Sequence, residues 1–505
     1  MPLSPSPCPA PSAHLTTDSL IEELKANNSF ETREESKNRI NVLQQLSDIV
    51  TRWEIEIEIE NDVQQLSLPL PNAPLPKPSA RLLVFGSYYL KVHSSGGDID
   101  TVLVAPCHLT RAQFFSSFVK LLHVSPSVTK LAAIPNAHVP IIKLNFDDVD
   151  VDISFASLSL SQIPAHLNLS DDRILENLDA QSIRSLNGCR VARRLLELVP
   201  SRKEFRSAVR AVKLWAKRHG VASSAMGFFS GIAWTILVAK TCQLNPGARA
   251  PSIVVKLFKI FSNWNWKEPV VLAEGLELAS NYQDRMRMPI LTPLSPMETT
   301  TNNVGRFSAF VIQEEIQEAA RICEGMEAGE KTWKDLFEKK SFINRYSNFV
   351  TVTVSDPKAT SFLGLLEAKL RYLVAKLERN ATVQMAHLDT NSYESKNKES
   401  KIYMVGLRAG TEDENGNDCE SLNVAKDMRK FKKEIKYEAR KAGIEQPEIK
   451  ISCVDQSELA SLISGISLEP MMNSTENDEE NENLKGKTGS SAGAGRRRVF
   501  QARNG

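Results

Sequence analysis

The chain has 505 residues, and its 62 Lys and Arg stand against 61 Asp and Glu for a net charge of +1. That length suggests about two to four domains, and the balance of charge excludes both a globally basic nucleic-acid coat and an acidic mimic, so any polyanion must be held by local patches. The seven cysteines, at 8, 107, 189, 242, 323, 419 and 453, are odd in number and form no CxxC pair, which argues against a disulfide framework or a zinc ribbon and for a reducing compartment.

Residues 1–17 are rich in Pro and Ser and lack a basic segment followed by an apolar one, so they read as disordered and not as a signal peptide. Leu20 to Trp53 carries helical periodicity through Leu43, Leu46, Ile49, Val50 and Trp53. Five prolines between Leu68 and Pro78 then make a linker. Arg81–Phe85 is a short apolar run ended by Gly86-Ser87, and strand-like segments follow at Asp98–Val104, Val139–Phe146 and Asp150–Phe155. From Asp171 to about Glu338 the pattern is mainly helical, clearest at Ser207–His219 and Phe228–Lys240. The greasiest stretch, Ala225–Ala239, has 15 residues, whereas a membrane span needs about 20, so it reads as a buried helix of a soluble intracellular protein. Beyond Asn348 the order is strand (349–354), helix (362–377), strands (382–387 and 401–407), helix (422–441) and strand (448–454), the split β-α-β-β-α-β arrangement. The tail after Leu468 turns acidic, then Gly- and Ser-rich, and reads as disordered.

The stretch from Val84 to Val104 carries the chemistry. Asp98 and Asp100 stand two apart on an expected strand, so both carboxylates point to one face. Carboxylates so placed repel unless a cation lies between them, and a hard divalent ion sharing them with substrate phosphates meets that need. Gly86 permits close backbone approach to a phosphate, and Ser87 adds a hydroxyl. Asp150 and Asp152, again on one face of a strand, offer a third carboxylate for a two-metal site if the strands pair. A lone DxD is commonly a turn or a solvated edge; the Gly-Ser turn and the third acidic strand are what set this one apart.

The segment FGSYYLKVHSSGGDIDTVLVAP (85–106) resembles the signature of the nuclear poly(A) polymerases of the nucleotidyltransferase superfamily. The resemblance continues through PIIKLNFDDVDVDISFA, SIRSLNGCRVARRLLELVP, VRAVKLWAKRHG, GFFSGIAWTILVAKTCQLNP, NWNWKEPVVL and MPILTPLSPMETTTNNV, and covers roughly residues 18–465. It implies an α+β multidomain chain with three parts. These are a nucleotidyltransferase-type mixed-sheet catalytic domain (18–165), a helical central domain (166–345) and a ferredoxin-like, RRM-like RNA-binding domain (346–466), with 467–505 as tail. It further implies template-independent transfer of AMP from ATP to an RNA 3′-hydroxyl with release of pyrophosphate. Asp98, Asp100 and Asp152 would hold two Mg²⁺ or Mn²⁺ ions, with Asp150 the spare acid.

Arg206, Arg210, Lys213 and Lys217 form one helical stripe, and residues 190–218 hold ten Lys and Arg against Glu197 and Glu204. Such a stripe alone is usually a solvated face. The resemblance implies that Lys213 and Lys217 lie by the triphosphate. It places Phe85, Gly86, Ser87, Ser94, Asn187, Ala222, Gly231 and Ile232 along the nucleotide, and Lys143 near the RNA primer. Two departures touch base choice: Ala222 stands where the family usually has Tyr, and Ser224 where it usually has Asn. Tyr89 and Lys91 also depart from the family's GSYRLGVH.

The C-terminal domain lacks the aromatic pattern of a base-stacking sheet, yet residues 426–441 hold eight basic residues against three acidic. This reads as salt-dependent RNA backbone contact, with an ordinary amphipathic helix as the alternative. The resemblance implies a nuclear monomer working with cleavage and polyadenylation factors, with Lys485, Lys487 and Arg496–Arg498 as a loose basic signal. Two rival readings stay open: a terminal transferase of altered nucleotide preference, and an RNA-binding scaffold with little catalysis.

Overall fold

The computed structural model describes residues 15–64, 77–279, 286–410 and 422–464; the proline linker up to residue 76, most of the N-terminal stretch and the tail lie outside these. The described residues form two compact units. The first runs to Lys339 apart from 225–227 and 305–308, and the second comprises those two pieces and the chain from Lys340.

In the first unit the expected helix of residues 20–53 is two helices, α1 (Thr17–Ala26) and α2 (Arg33–Gln64). Strand β1 (Arg81–Val84) leads into the short helix α3 (Gly86–Leu90) and β2 (Ile99–Ala105). Helix α4 (Arg111–Gln113) continues through a π turn, Phe114–Phe118, into α5 (Val119–His123). Then come β3 (Val128–Ile134), β4 (Ile141–Phe146) and β5 (Val149–Ser157). The five strands make one mixed sheet in the order β1-β2-β5-β4-β3, in which only β2 and β5 are parallel.

Alternation along β2 and β5 divides their side chains between two cores. Ile99, Leu103, Val151, Ile153 and Phe155 face α2 and the π turn, where Trp53 meets Phe118 at 5.1 Å and Phe155 at 6.5 Å. Val102, Val104 and Ala156 face the opposite way, against Leu186 and Cys189 of α6 (Ala180–Leu198). Helix α6, on the central-domain side of the expected 165/166 boundary, therefore covers this sheet. Strand β3 had no signal in the sequence because it is an edge strand, largely exposed and interrupted by a bulge between Thr129 and Ala132.

Helices α7 (Arg202–Arg218), α8 (Gly231–Leu244) and α9 (Ala250–Ser262) pack together around Trp215, which meets Trp234 at 5.3 Å and Phe258 at 4.6 Å. The greasy stretch is thus the buried α8, and among the described residues no helix is long and apolar enough to cross a membrane. Residues 263–304, expected to be mainly helical, hold no helix among the described ones. Isolated bridges join Val270 to Ile290 and Leu291 to Thr299, as suits a segment with prolines at 289, 293 and 296. Helices α10 (Arg306–Ala328) and α11 (Trp333–Leu336) follow. The buried His219 at the end of α7 ties them in, with Nδ1 2.7 Å from Glu315 and Nε2 3.2 Å from the Leu336 carbonyl.

The second unit has the expected split order: β6 (Asn348–Val354), α12 (Thr360–Leu377), β7 (Val383–Leu388), β9 (Lys401–Ala409), α13 (Ala425–Lys441) and β10 (Ile449–Asp455). Two pieces are additional, a short β8 (Tyr393–Glu394) paired with β9 and a closing α14 (Gln456–Leu462). The sheet order is β10-β6-β9-β7, all antiparallel.

Trp53 is fully buried among aromatic rings. Trp53→Ala is expected to destabilise the first unit by about 3–5 kcal/mol, read as an earlier urea transition of that unit.

Candidate active site

The parallel pairing of β2 with β5 sets Asp100, near the start of β2, directly beside Asp152 in the first half of β5. Asp98 lies one residue before β2, and one ligand oxygen from each of the three carboxylates falls within 4.8 Å of the others. Gly86 begins α3 with φ +59°, and a Cβ there would collide with the Asp100 carboxylate. The Gly-Ser turn is therefore packed on the acidic cluster, and a side chain at 86 would displace it. Phe85 donates its amide to the Asp100 carbonyl at 2.9 Å, and its ring lies on Gly188, next to the half-buried Asn187 of α6.

Asp100 is pushed up to about 6 by burial first, then by the charges of Asp98 and Asp152, against the pull of Lys143 and Lys213. Burial also raises Asp152, although Lys143, its cross-strand neighbour on β4, holds its Oδ2 at 2.5 Å. Asp150 is exposed on the same face and is taken by Asn145 at 2.8 Å. The three clustered acids thus carry more negative charge than the protein neutralises. Hard oxygen donors in such a group suit a divalent cation.

The basic stripe of α7 is neither a solvated face nor simply a phosphate site. Arg206 donates to the Leu90 carbonyl at 2.9 Å, Arg210 to those of Lys91 (2.8 Å) and His93, and Lys213 to that of Val92 at 3.3 Å. Four successive carbonyls of the loop after α3 are thereby held by three side chains of one helix. Burial, followed by the charge of Arg210, depresses Lys213, which still feels Asp98 and Asp100. Below the same loop the buried His93 meets Glu31 at 3.0 Å. Glu31 pairs with Arg39 at 3.2 Å, and Arg39 donates to the Gly97 carbonyl. The chain leading to Asp98 is gripped from both sides. Sequence reasoning missed this, because the acceptors are backbone oxygens and Glu31 and Arg39 lie far away in sequence.

The remaining expected residues are less tightly gathered. Ser94 is exposed in the turn that leads to Asp98, with its carbonyl accepting from Gly97 at 3.1 Å. Lys217 is exposed one turn beyond Lys213, and Ser87 is half-buried on α3. Gly231 and the half-buried Ile232 open α8, with clear space beyond Gly231. Ala222 is exposed, while the Ser224 carbonyl and hydroxyl accept from Asn303 at 3.0 and 3.3 Å. No contact joins these last residues to the carboxylates among the described residues. A second acidic group, Glu54, Glu58 and His108, differs in kind, since Glu54 is committed to the amides of Ser79 and Ala80 at 2.8–2.9 Å.

Three family models match consecutive stretches of the chain. They are the poly(A) polymerase nucleotidyltransferase domain over residues 1–199, the poly(A) polymerase central domain over 204–339 and the poly(A) polymerase predicted RNA binding domain over 341–402, a match that stops short of α13. The chain belongs to the poly(A) polymerase family. It is 36% identical over 422 residues to poly(A) polymerase PAPalpha of Candida albicans, covering 80% of this chain and 74% of that one. It is 35% identical over 399 residues to poly(A) polymerase pla1 of Schizosaccharomyces pombe, covering 76% and 69%. A solved structure of Cid1, described as having RNA terminal uridylyl transferase activity, aligns with TM-score 0.44 and 16% identity over 65% of this chain and 98% of that one, a distance at which nucleotide choice does not transfer. The fold class expected from the sequence agrees with the family: a nucleotidyltransferase-type sheet domain, a helical central domain and a C-terminal RNA-binding domain.

Arg210→Met removes the donor from three carbonyls, those of Ser29, Lys91 and His93. Leaving buried acceptors unpaired costs about 1–3 kcal/mol. The variant is expected to exchange its amide hydrogens faster across residues 91–97, measured by mass spectrometry, while α2 and β5 keep their protection.

Proposed function

We propose that this poly(A) polymerase family member adds AMP from ATP to RNA 3′-hydroxyls without a template, using Asp98, Asp100 and Asp152 as the holders of two divalent cations, Mg²⁺ or Mn²⁺. The observation that carries the reading is the convergence of these three carboxylates within 4.8 Å, packed against Gly86 and with Asp100 pushed up to about 6. A cluster whose burial and, after it, whose own charges hinder its ionisation fits a cation that would take up the excess. When bound, such ions supply positive charge to the triphosphate and favour ionisation of the attacking hydroxyl.

In the reaction, a bond forms from the RNA 3′-oxygen to the α-phosphorus. The α-phosphorus to bridging-oxygen bond breaks, the hydroxyl proton is lost, and pyrophosphate departs. Lys213 and Lys217 lie on the helix beside the acids and add charge for the β- and γ-phosphates. Phe85, Gly86, Ser87, Ser94, Asn187, Ala222, Gly231 and Ile232 line the nucleotide in this reading. Lys143, held by Asp152 here, turns to an RNA phosphate once Asp152 serves a cation. The domain limits that go with it are 18–165, 166–345 and 346–466, and the setting is a nuclear monomer that receives its substrates from cleavage and polyadenylation factors.

The departures at Ala222 and Ser224 support a second reading, relaxed nucleotide choice. Loss of an aromatic platform at 222 weakens base stacking by about 1–3 kcal/mol. The deciding experiment is extension of a short oligo(A) primer with each of the four NTPs separately, with Mg²⁺ and with Mn²⁺. Long tails from ATP alone support adenylate transfer, whereas equal extension by all four nucleotides supports the relaxed enzyme. No extension, with RNA still bound, points to a scaffold.

Asp98→Asn combined with Asp100→Asn is expected to lower kcat by about a thousandfold or more, the scale of losing preorganised charge at a reacting centre. Chelation of divalent ions should likewise stop extension, and restored Mg²⁺ should return it. Gly86→Ala, which pushes a methyl into Asp100, is expected to weaken Mn²⁺ binding measured by electron paramagnetic resonance. Unchanged Mn²⁺ affinity in that variant would separate Gly86 from the cation site.

A further inference from the structure

Among the described residues, neither face of the second unit's sheet is open to bases. Val350, Val352 and Val354 alternate with Phe349, Thr351 and Thr353 along β6, so one set points to α12 and α13 and the other to the far side. On that far side Tyr346 lies over Gly406, where a Cβ would strike its ring, and its hydroxyl meets His387 at 2.7 Å. Phe342, Leu459 and Ile463 complete the cover over Phe349, Ile402 and Met404. An RRM-like sheet normally offers this face to RNA; here residues 342–346 and α14 occupy it.

Helix α13 has the opposite character. Phe431, Ile435 and Ala439 are buried and fasten it to the unit. Its three acids are all engaged on the side toward α12: Glu434 with Lys376 at 2.7 Å, Glu438 with Lys369 at 3.2 Å, and Asp427 with Asn380 at 2.7 Å. On the outward side Lys426, Lys430, Lys433, Arg440 and Lys441 are exposed, and among the described residues none of them makes an ion pair. At 100° per residue, all five lie within about 60° of Tyr437 around the helix axis. Tyr437 is 64% exposed, an unusual position for a large aromatic side chain. The stripe runs about 22 Å along the helix.

We propose that the outward face of α13 is a docking surface for single-stranded RNA, its cations taking successive phosphates and Tyr437 stacking on a base. The choice of RNA as the polyanion rests on the proposed function. Segregation of charge supports it. The three acids fall to one side of the helix, about 60–100° from Tyr437, where Glu434 and Glu438 are paired with lysines and Asp427 is hydrogen-bonded to Asn380, while among the described residues the five outward cations make no ion pair. An exposed aromatic ring among cations is the combination that holds single strands without reading sequence.

The test is fluorescence anisotropy of the full chain with a labelled oligo(A) of about 20 nucleotides, titrated at salt from about 50 to 200 mM. Combined Lys430→Gln, Lys433→Gln and Arg440→Gln should weaken binding by about tenfold at low salt. The same variant should reduce the log–log salt slope by about 2, at about 0.7 for each phosphate no longer neutralised. Tyr437→Ala should weaken binding by roughly tenfold with the slope unchanged, and Tyr437→Phe should retain it. These side chains are exposed, so the variants are expected to melt as the parent does. The Asp98→Asn, Asp100→Asn chain should keep at least the parent's affinity, so failure of catalysis and failure of docking read out separately. Unchanged affinity and slope in the triple variant would overturn the proposal. A preference of the stripe for poly-glutamate over RNA of equal charge, measured by competition, would overturn it as well.

Discussion

The mutual repulsion of Asp98, Asp100 and Asp152, whose ligand oxygens lie within 4.8 Å, is the constraint around which the first unit is arranged. A sheet tolerates three acids at one end only if something else fixes the backbone beneath them and supplies opposing charge. Parallel pairing of β2 with β5 fixes two of them in register. Lys143 answers Asp152 from β4, and Lys213 bears on Asp98 and Asp100 from α7. Burial, and then the charges of Asp98 and Asp152, keep Asp100 elevated against this compensation. Such incomplete neutralisation is a cost to the fold alone and an asset to a site that takes up cations.

The turn that carries Asp98 would otherwise be a loose Ser-Ser-Gly-Gly stretch. Its geometry comes from long-range contacts, with Arg206, Arg210 and Lys213 above and the Glu31, Arg39 and His93 group below. Buried arginines serve well here because a guanidinium reaches several acceptors in fixed directions. One helix thus both positions the acidic turn and lends charge to it, and the two roles fall to neighbouring residues of a single stripe.

The second unit solves another problem with a familiar topology. Covering both faces of its sheet gives it a core on each side, with Tyr346 on one and Tyr403 hydrogen-bonded to Glu367 on the other. The cover removes the usual platform for bases and leaves the exposed helix as the charged element. Lys369 and Lys376 of α12 then pair with Glu438 and Glu434 of α13, two of its three acids.

Periodicity and local composition determined much of this protein in advance. The strands of residues 99–105, 141–146 and 149–157, the helix of α7 and the whole split order of the second unit follow from alternation and from apolar spacing, which are local properties. Asp98 and Asp100 were legible as a pair for the same reason, since two-residue spacing puts carboxylates on one side of a strand. Spacing left Asp150 and Asp152 both open, and it is the pairing of β2 with β5 that sets Asp152 beside Asp100. Strand β3 and the non-helical path of residues 263–304 were not legible. An exposed, bulged edge strand leaves little apolar pattern, and a proline-broken segment takes its course from what it packs against. Nor could spacing show whether the α7 stripe faced solvent, phosphate or protein. Its acceptors are carbonyls that every residue carries, so only the folded chain decided which four of them it would hold.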